Sequence, residues 1–258
     1  MKEKVALIIV LIGFSYIQCH AQKEISDQSH AWLMYFGNHK INDRWGLHTE
    51  YQWRRAEFMD AWQQSLLRLG VDYYAKNGSQ YTMGYGWIES FVYGDQPITR
   101  KFNEHRIWEQ FITKSKVARV EIQHRYRLEQ RWLENWMKSS DKIDSLGGFI
   151  HKNRARYRFM ANIPLNKKEM SDNTFFLSLY DELFIGFGPN IAKNVLDQNR
   201  MYAALGYRFN AKLSIQLGYL NQYIIKTDGI KAERNHTLQT AIFYHLDFRK
   251  PEADARSN

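Results

Sequence analysis

A chain of 258 residues with 44% hydrophobic and 24% charged side chains and a formal net charge of +9 has the averages of a soluble protein, as does its mean hydropathy of −0.57. Aromatics reach 15% while Pro is 4 and Cys is 1; a lone thiol excludes a disulfide framework and a zinc ribbon, which need several at set spacings. The aromatic content also argues against disorder, because it can bury enough surface to offset the entropy of ordering.

The chain opens with Lys2 and Lys4, then an apolar run from Val5 to Ile17 that ends in Cys19, His20 and Ala21. This pattern predicts a cleaved secretory signal peptide over residues 1–21, since the run is too short to span a bilayer as a helix. Gln18 is too large and polar for a lipoprotein cleavage site before Cys19. Cleavage after Ala21 removes the sole cysteine, and an exported chain without thiols suits an oxidising compartment. No later apolar run reaches eighteen residues, so strands are the remaining way across a membrane.

From there the sequence repeats with a period of two. His30–Gly37 is a weak first strand, and Trp45, Leu47, Thr49, Tyr51 and Trp53 then alternate strictly with Gly46, His48, Glu50 and Gln52. Weaker strands are predicted at Ala61–Tyr74, Gln80–Val92 and Phe102–Lys114. In Val117–Trp132 the apolar Val120, Ile122, Tyr126 and Leu128 alternate with Arg119, Glu121, Arg125, Arg127 and Glu129. His151–Pro164 sets Ala155, Tyr157 and Phe159 against Arg154, Arg156 and Arg158. After a weak strand at Thr174–Phe187, Gln198–Phe209 sets Met201, Leu205 and Tyr207 against Arg200 and Arg208. Leu213–Tyr219 alternates likewise, and the last strand runs through Leu238, Ile242, Tyr244, Leu246 and Phe248. Each has one apolar and one polar face, which no helix could make from residues at i and i+2.

Short turns are expected at Ala75–Ser79, Ser115–Lys116 and Asn210–Lys212, and longer loops at Tyr93–Lys101, Leu133–Phe149, Gly188–Asp197 and Ile224–Glu233. That rhythm belongs to a closed, all-β, antiparallel transmembrane barrel in an outer membrane. Residues 22–248 form this one domain, and 249–258 a polar C-terminal tail. Eleven strands are counted; because bacterial barrels usually have even numbers, the expectation is twelve, with ten as the alternative. The extra strand would come from Gln22–His30 or Leu133–Phe149.

Alternation does not say which face looks outward, but three features favour lipid. Trp45 and Trp53 stand about 26 Å apart along a strand, or ~20 Å once tilted by ~40°, near the ~25 Å between the aromatic girdles of such barrels. Long arginines, carboxylates and glycines share the other face, as lumen residues would. The terminal strand ends in alternating Tyr244, Leu246 and Phe248, a signal for barrel-assembly machinery.

Several short blocks in order resemble an outer-membrane barrel family, domain of unknown function 2490: NEHRIWEQ at Asn103–Gln110, HRYRLEQR at His124–Arg131, NRARYR at Asn153–Arg158, YDELFI at Tyr180–Ile185, DQNR at Asp197–Arg200 and LGYRFN at Leu205–Asn210. The resemblance runs from about Trp32 to Phe248. It implies an outer-membrane barrel and brings no established activity or catalytic residue. The polar tail after Phe248 departs from the family habit of stopping at the terminal aromatic.

Ten basic and five acidic residues lie between Arg119 and Arg158. With Glu104, Arg106, Arg200 and Arg208 they predict a lumen charge network of Arg119, Glu121, Arg125, Arg127, Glu129, Arg154, Arg156 and Arg158. Two readings stand: a structural salt-bridge filling, or a narrow anion-preferring path. The cations alternate along strands of an exported chain, so nucleic acid is not expected as a partner; outer-membrane lipids and the assembly machinery are.

A membrane-embedded enzyme acting on lipid or surface glycan is the alternative. No nucleophile elbow occurs, Ser139 with Lys142 is isolated, and Glu104 with Glu109 or Asp181 with Glu182 read as ion-pair partners before acid and base. No metal, cofactor or catalytic residue is expected.

Overall fold

The computed structural model describes residues 23–94, 100–137 and 145–249. The leader expected over 1–21 and most of the polar tail lie outside them. Eleven strands follow one another: β1 (Glu24–Lys40), β2 (Trp45–Ala56), β3 (Ala61–Tyr74), β4 (Gln80–Ser90), β5 (Phe102–Val117), β6 (Val120–Met137), β7 (Ser145–Pro164), β8 (Thr174–Phe187), β9 (Leu196–Arg208), β10 (Leu213–Ile225) and β11 (Lys231–Tyr244). Each pairs with its sequence neighbours, and β1 closes on β11 to complete a barrel. Closure leaves no unpaired edge.

The count corrects the expectation of twelve or ten. With every consecutive pair antiparallel, an odd number sends the first and last strands in the same direction. The seam is accordingly parallel, pairing Glu24–Phe36 of β1 with Lys231–Phe243 of β11, so the barrel is mixed. The two stretches proposed to hide a further strand lengthen existing ones. Glu24–His30 lies in β1, Leu133–Met137 ends β6 and Ser145–Phe149 begins β7, while Gln22 and residues 138–144 lie outside the described residues.

The β5–β6 hairpin also turns later than expected, at Ala118–Arg119, because Val117 pairs with Val120. Other turns are closed by side chains that accept two backbone N–H groups: Asn42 from Arg44 and Trp45, Asn210 from Lys212 and Leu213, and Asp228 from Ile230 and Lys231. One end of the barrel carries the turns after β1, β3, β5, β7 and β9, and the other carries the remaining loops and the start of β1.

Alternation sorts the wall into two faces. Tyr126, Leu205 and Met83 are among the outward side chains, each about half or more exposed. Successive cross-strand partners Trp45, Tyr73, Tyr81, Phe111, Tyr126 and Tyr157 form a row of ring contacts at 4.8–6.5 Å across β2 to β7. At the loop end Trp53 meets Trp62, and Arg55 lies over both rings. Inward-facing side chains are buried, including Trp32, Trp108 and Phe184. The facing pair Gly70 and Gly84 admits Trp108: a Cβ on Gly84 would stand 2.8 Å from the indole.

The terminal strand is shorter than predicted. β11 ends at Tyr244, and Leu246 and Phe248 lie beyond the ladder. The chain there is clipped to β1: Lys40 and Asp247 form an isolated parallel bridge, and the Phe248 amide donates to the Lys40 carbonyl. Arg249 pairs with Asp43 at 2.8 Å.

Ala118 takes a φ of 52° in the two-residue β5–β6 turn, a region in which a side chain costs about 1 kcal/mol and glycine nothing. Ala118→Gly is therefore expected to stabilise the barrel by about 1 kcal/mol, read as a higher midpoint in urea unfolding of detergent-folded protein.

Candidate functional site

The lumen holds the chemistry. Its centre is Glu129 of β6, 1% exposed, a carboxylate that could not stay charged there without cations around it. Register supplies them from both sides. Arg154 of β7 lies directly opposite and reaches it at 2.6 Å, with Arg156 at 2.7 Å. Arg68 of β3 and Arg106 of β5 approach at 3.5 and 3.8 Å.

Each of these four arginines has a second carboxylate: Arg68 with Glu50, Arg106 with Glu104, Arg154 with Asp197 and Arg156 with Glu182, all at 2.5–2.8 Å. Glu104 also takes Arg131, and Glu182 takes Arg125. The result is one connected strut of six guanidinium groups and five carboxylates spanning β2 to β9. Paired in this way, buried charges hold one another in place, although the pairing itself adds little net stability over an apolar filling.

Other lumen arginines are held differently. Arg127 donates to Gln110 at 2.7 Å and covers the Trp108 ring; Arg158 donates to Gln123. Arg54 donates to Gln52 and Gln64, and Arg200 to Gln198. None of the four has a carboxylate within ion-pair distance among the described residues. Part of the reason is register: Arg125 faces Arg158 and Arg127 faces Arg156, and β8 offers only Glu182 to the group. An amide oxygen orients a guanidinium without neutralising it.

Around these side chains runs a cavity of about 780 Å³, lined from Lys212 and Asp247 at the turn end to Tyr93 and Lys226 at the loop end. Glu104 and Glu129 do not line it; Glu50, Glu182 and Asp197 do, together with the amide-held arginines, and its lining arginines and lysines outnumber its carboxylates. The cavity therefore sees more cation than the strut contains.

Of the predicted network, Glu104, Arg106, Arg125, Glu129, Arg154 and Arg156 belong to the strut, and Arg127, Arg158 and Arg200 are amide-held. Glu121 and Arg208 line the cavity, and neither makes an ion pair among the described residues. Arg119 is a correction: it sits exposed in the β5–β6 turn, because the alternation that suggested it was carried past the end of the strand.

Glu50, Arg54, Arg68 and Asp197 were missed, although Glu50 shares the polar parity already visible in Trp45–Trp53; Glu182, expected as an ion-pair partner, takes Arg125 and Arg156. The carboxylate pairs considered for acid–base work do not converge. Asp181 and Glu182 are adjacent on a strand and point to opposite faces; Asp181 is held outside by Asn199, and Glu109 outside by Gln130. Among the described residues no three His, Cys, Asp or Glu side chains gather as metal ligands.

Glu129→Gln keeps the shape but leaves four arginines without their shared charge, so a loss of about 3–5 kcal/mol is expected. The outward Glu109→Gln should cost under ~1 kcal/mol. Urea unfolding of both variants in detergent measures the difference.

A family model described as Protein of unknown function (DUF2490) matches residues 29–233. No curated protein and no solved structure matches the chain.

Proposed function

The chain belongs to the family described as Protein of unknown function (DUF2490), and from that premise we propose that it is an exported, non-enzymatic barrel of the bacterial outer membrane whose ion-pair-braced lumen prefers anions. The observation that carries this reading is the division of charge. The strut is nearly balanced, while the cavity beside it is lined by arginines that only amides hold.

Support for a membrane setting comes from the outer face. Its exposed large apolar side chains recur on neighbouring strands around the wall, an area far beyond the few hundred Å² that soluble monomers expose. Rows of rings such as Trp45–Tyr157 suit the interface between hydrocarbon and water, where amphipathic aromatics are favoured. In this setting lipids are the partners of the apolar face. The assembly machinery meets the terminal segment at Tyr244, Leu246 and the exposed Phe248.

A ring of fixed cations attracts anions and repels cations at close range. The strut narrows the path, so the reading predicts small conductance with strong charge preference. Two measurements test it. The protein should fractionate with the outer membrane and migrate faster unheated than boiled, and in a planar bilayer under a KCl gradient its reversal potential should carry the sign of chloride preference. Recovery in the soluble periplasm would overturn the membrane setting. No conductance, or a reversal potential of the opposite sign, would overturn the anion path.

A further inference from the structure

Two of the amide-held arginines meet on a single ring. The Arg54 guanidinium lies 4.0 Å and the Arg200 guanidinium 5.3 Å from the centroid of the buried Trp32 indole, and Arg200 also lies 4.7 Å from the Phe184 ring. Both line the lumen cavity, and each residue is more than nine-tenths buried. Two like charges brought together in a place of low dielectric repel each other strongly, and among the described residues no carboxylate pairs with either. Glu182 lies across from Arg200 in the ladder, yet its oxygen is already shared by Arg125 and Arg156.

The two groups are nevertheless fixed in position. Arg54 donates from Nε to Gln52 Oε1 and from Nη1 to Gln64 Oε1, at 2.9 and 2.7 Å, and from Nη2 again to Gln52 Oε1. Arg200 donates only from Nε, to Gln198 Oε1 at 3.1 Å. That amide is steadied by Gln222, itself held by Asn235. Among the described residues neither terminal nitrogen of Arg200 has a hydrogen-bond partner, so both remain available to a ligand. Trp32 is anchored beneath by its indole N–H, which donates to Gln63 at 2.6 Å.

We propose that Arg54 and Arg200, seated on Trp32 and oriented by Gln52, Gln64 and Gln198, form a binding site for a phosphate-class dianion inside the lumen. Two full charges held by neutral groups match a dianion better than a monocarboxylate, and guanidinium forks suit the oxygens of a phosphate. The cavity of about 780 Å³ is the size of a small-molecule site, so inorganic phosphate and a phosphorylated sugar share the required chemistry. The site deepens the anion-preferring reading by naming its ligand, and it stands or falls separately because binding needs no conduction.

Calorimetric titration of the detergent-folded full-length protein tests it, with inorganic phosphate, glucose 6-phosphate and acetate as probes. Phosphate should bind, acetate should bind at least tenfold more weakly, and phosphate affinity should fall from pH 8 to pH 5.5 as the dianion is protonated. Tighter binding of glucose 6-phosphate than of phosphate would identify an organic ester as the occupant; the reverse would identify the free ion. Arg54→Gln and Arg200→Gln, each shown to be folded by its heat-modifiable migration, should weaken phosphate at least tenfold. Arg200→Lys should recover only part of that loss, and the outward Arg55→Gln should change nothing. Phosphate binding without any bilayer conductance would leave the site standing and sink the channel. Absence of phosphate binding at millimolar concentration, or unchanged binding in both glutamine variants, would overturn the site.

Discussion

A carboxylate almost completely removed from solvent must be surrounded by cations or lose its charge, and Glu129 is surrounded by four arginines. That requirement organises the inside of the barrel. Each arginine that serves Glu129 approaches from the lumen face of a strand, and each brings a further carboxylate from the same or another strand. The wall and its filling are therefore mutually dependent: the register places the charges, and the charges tie β2, β3, β5 and β6 to β7, β8 and β9 across the lumen.

The arginines outside this strut give the lumen its sign. Arg54, Arg127, Arg158 and Arg200 are oriented by glutamines, whose oxygens accept hydrogen bonds but carry no charge. A lumen built only to be filled would gain from pairing these groups with carboxylates or replacing them with apolar side chains. Keeping four oriented and uncompensated guanidinium groups beside a cavity makes a field that favours anions and leaves N–H groups unspent. The aromatic rings beside them, Trp32, Trp108, Tyr180 and Phe184, supply the stacking surfaces that let buried cations sit without a paired counter-charge.

Much of this was legible in the sequence because a strand declares its two faces every second residue. The alternations through Val120–Leu128 and Ala155–Phe159 place Arg125, Arg127, Arg156 and Arg158 in the lumen, and that of Met201–Tyr207 places the flanking Arg200 and Arg208 there, without any structural information. Four things were not legible. The strand number was rounded to an even value, since nothing in an alternating pattern distinguishes a parallel seam from an antiparallel one. Arg119 kept the right parity but fell in a turn, and parity has no meaning where pairing stops. Trp32, Trp108 and Phe184 face inward although apolar residues were expected outward; their place depends on guanidinium groups from neighbouring strands, for Trp32 also from β9, and on the space left by Gly70 and Gly84. Likewise, that Glu182 serves Arg125 and Arg156 while Arg158 makes do with Gln123 follows from three-dimensional reach and not from spacing.

The central claim is that the apolar face meets lipid while the charged face meets water. Cys19 is the chain's one cysteine, so single cysteines can be placed at will in a variant lacking it. The most direct measurement places one at outward Leu205 and one at cavity-lining Gln123 in protein folded into lipid vesicles, and compares a fluorophore at each. The account predicts that the label at 205 is quenched by lipid-attached nitroxide and shielded from aqueous iodide, and that the label at 123 shows the reverse. Iodide quenching at 205 equal to that at 123 would contradict it.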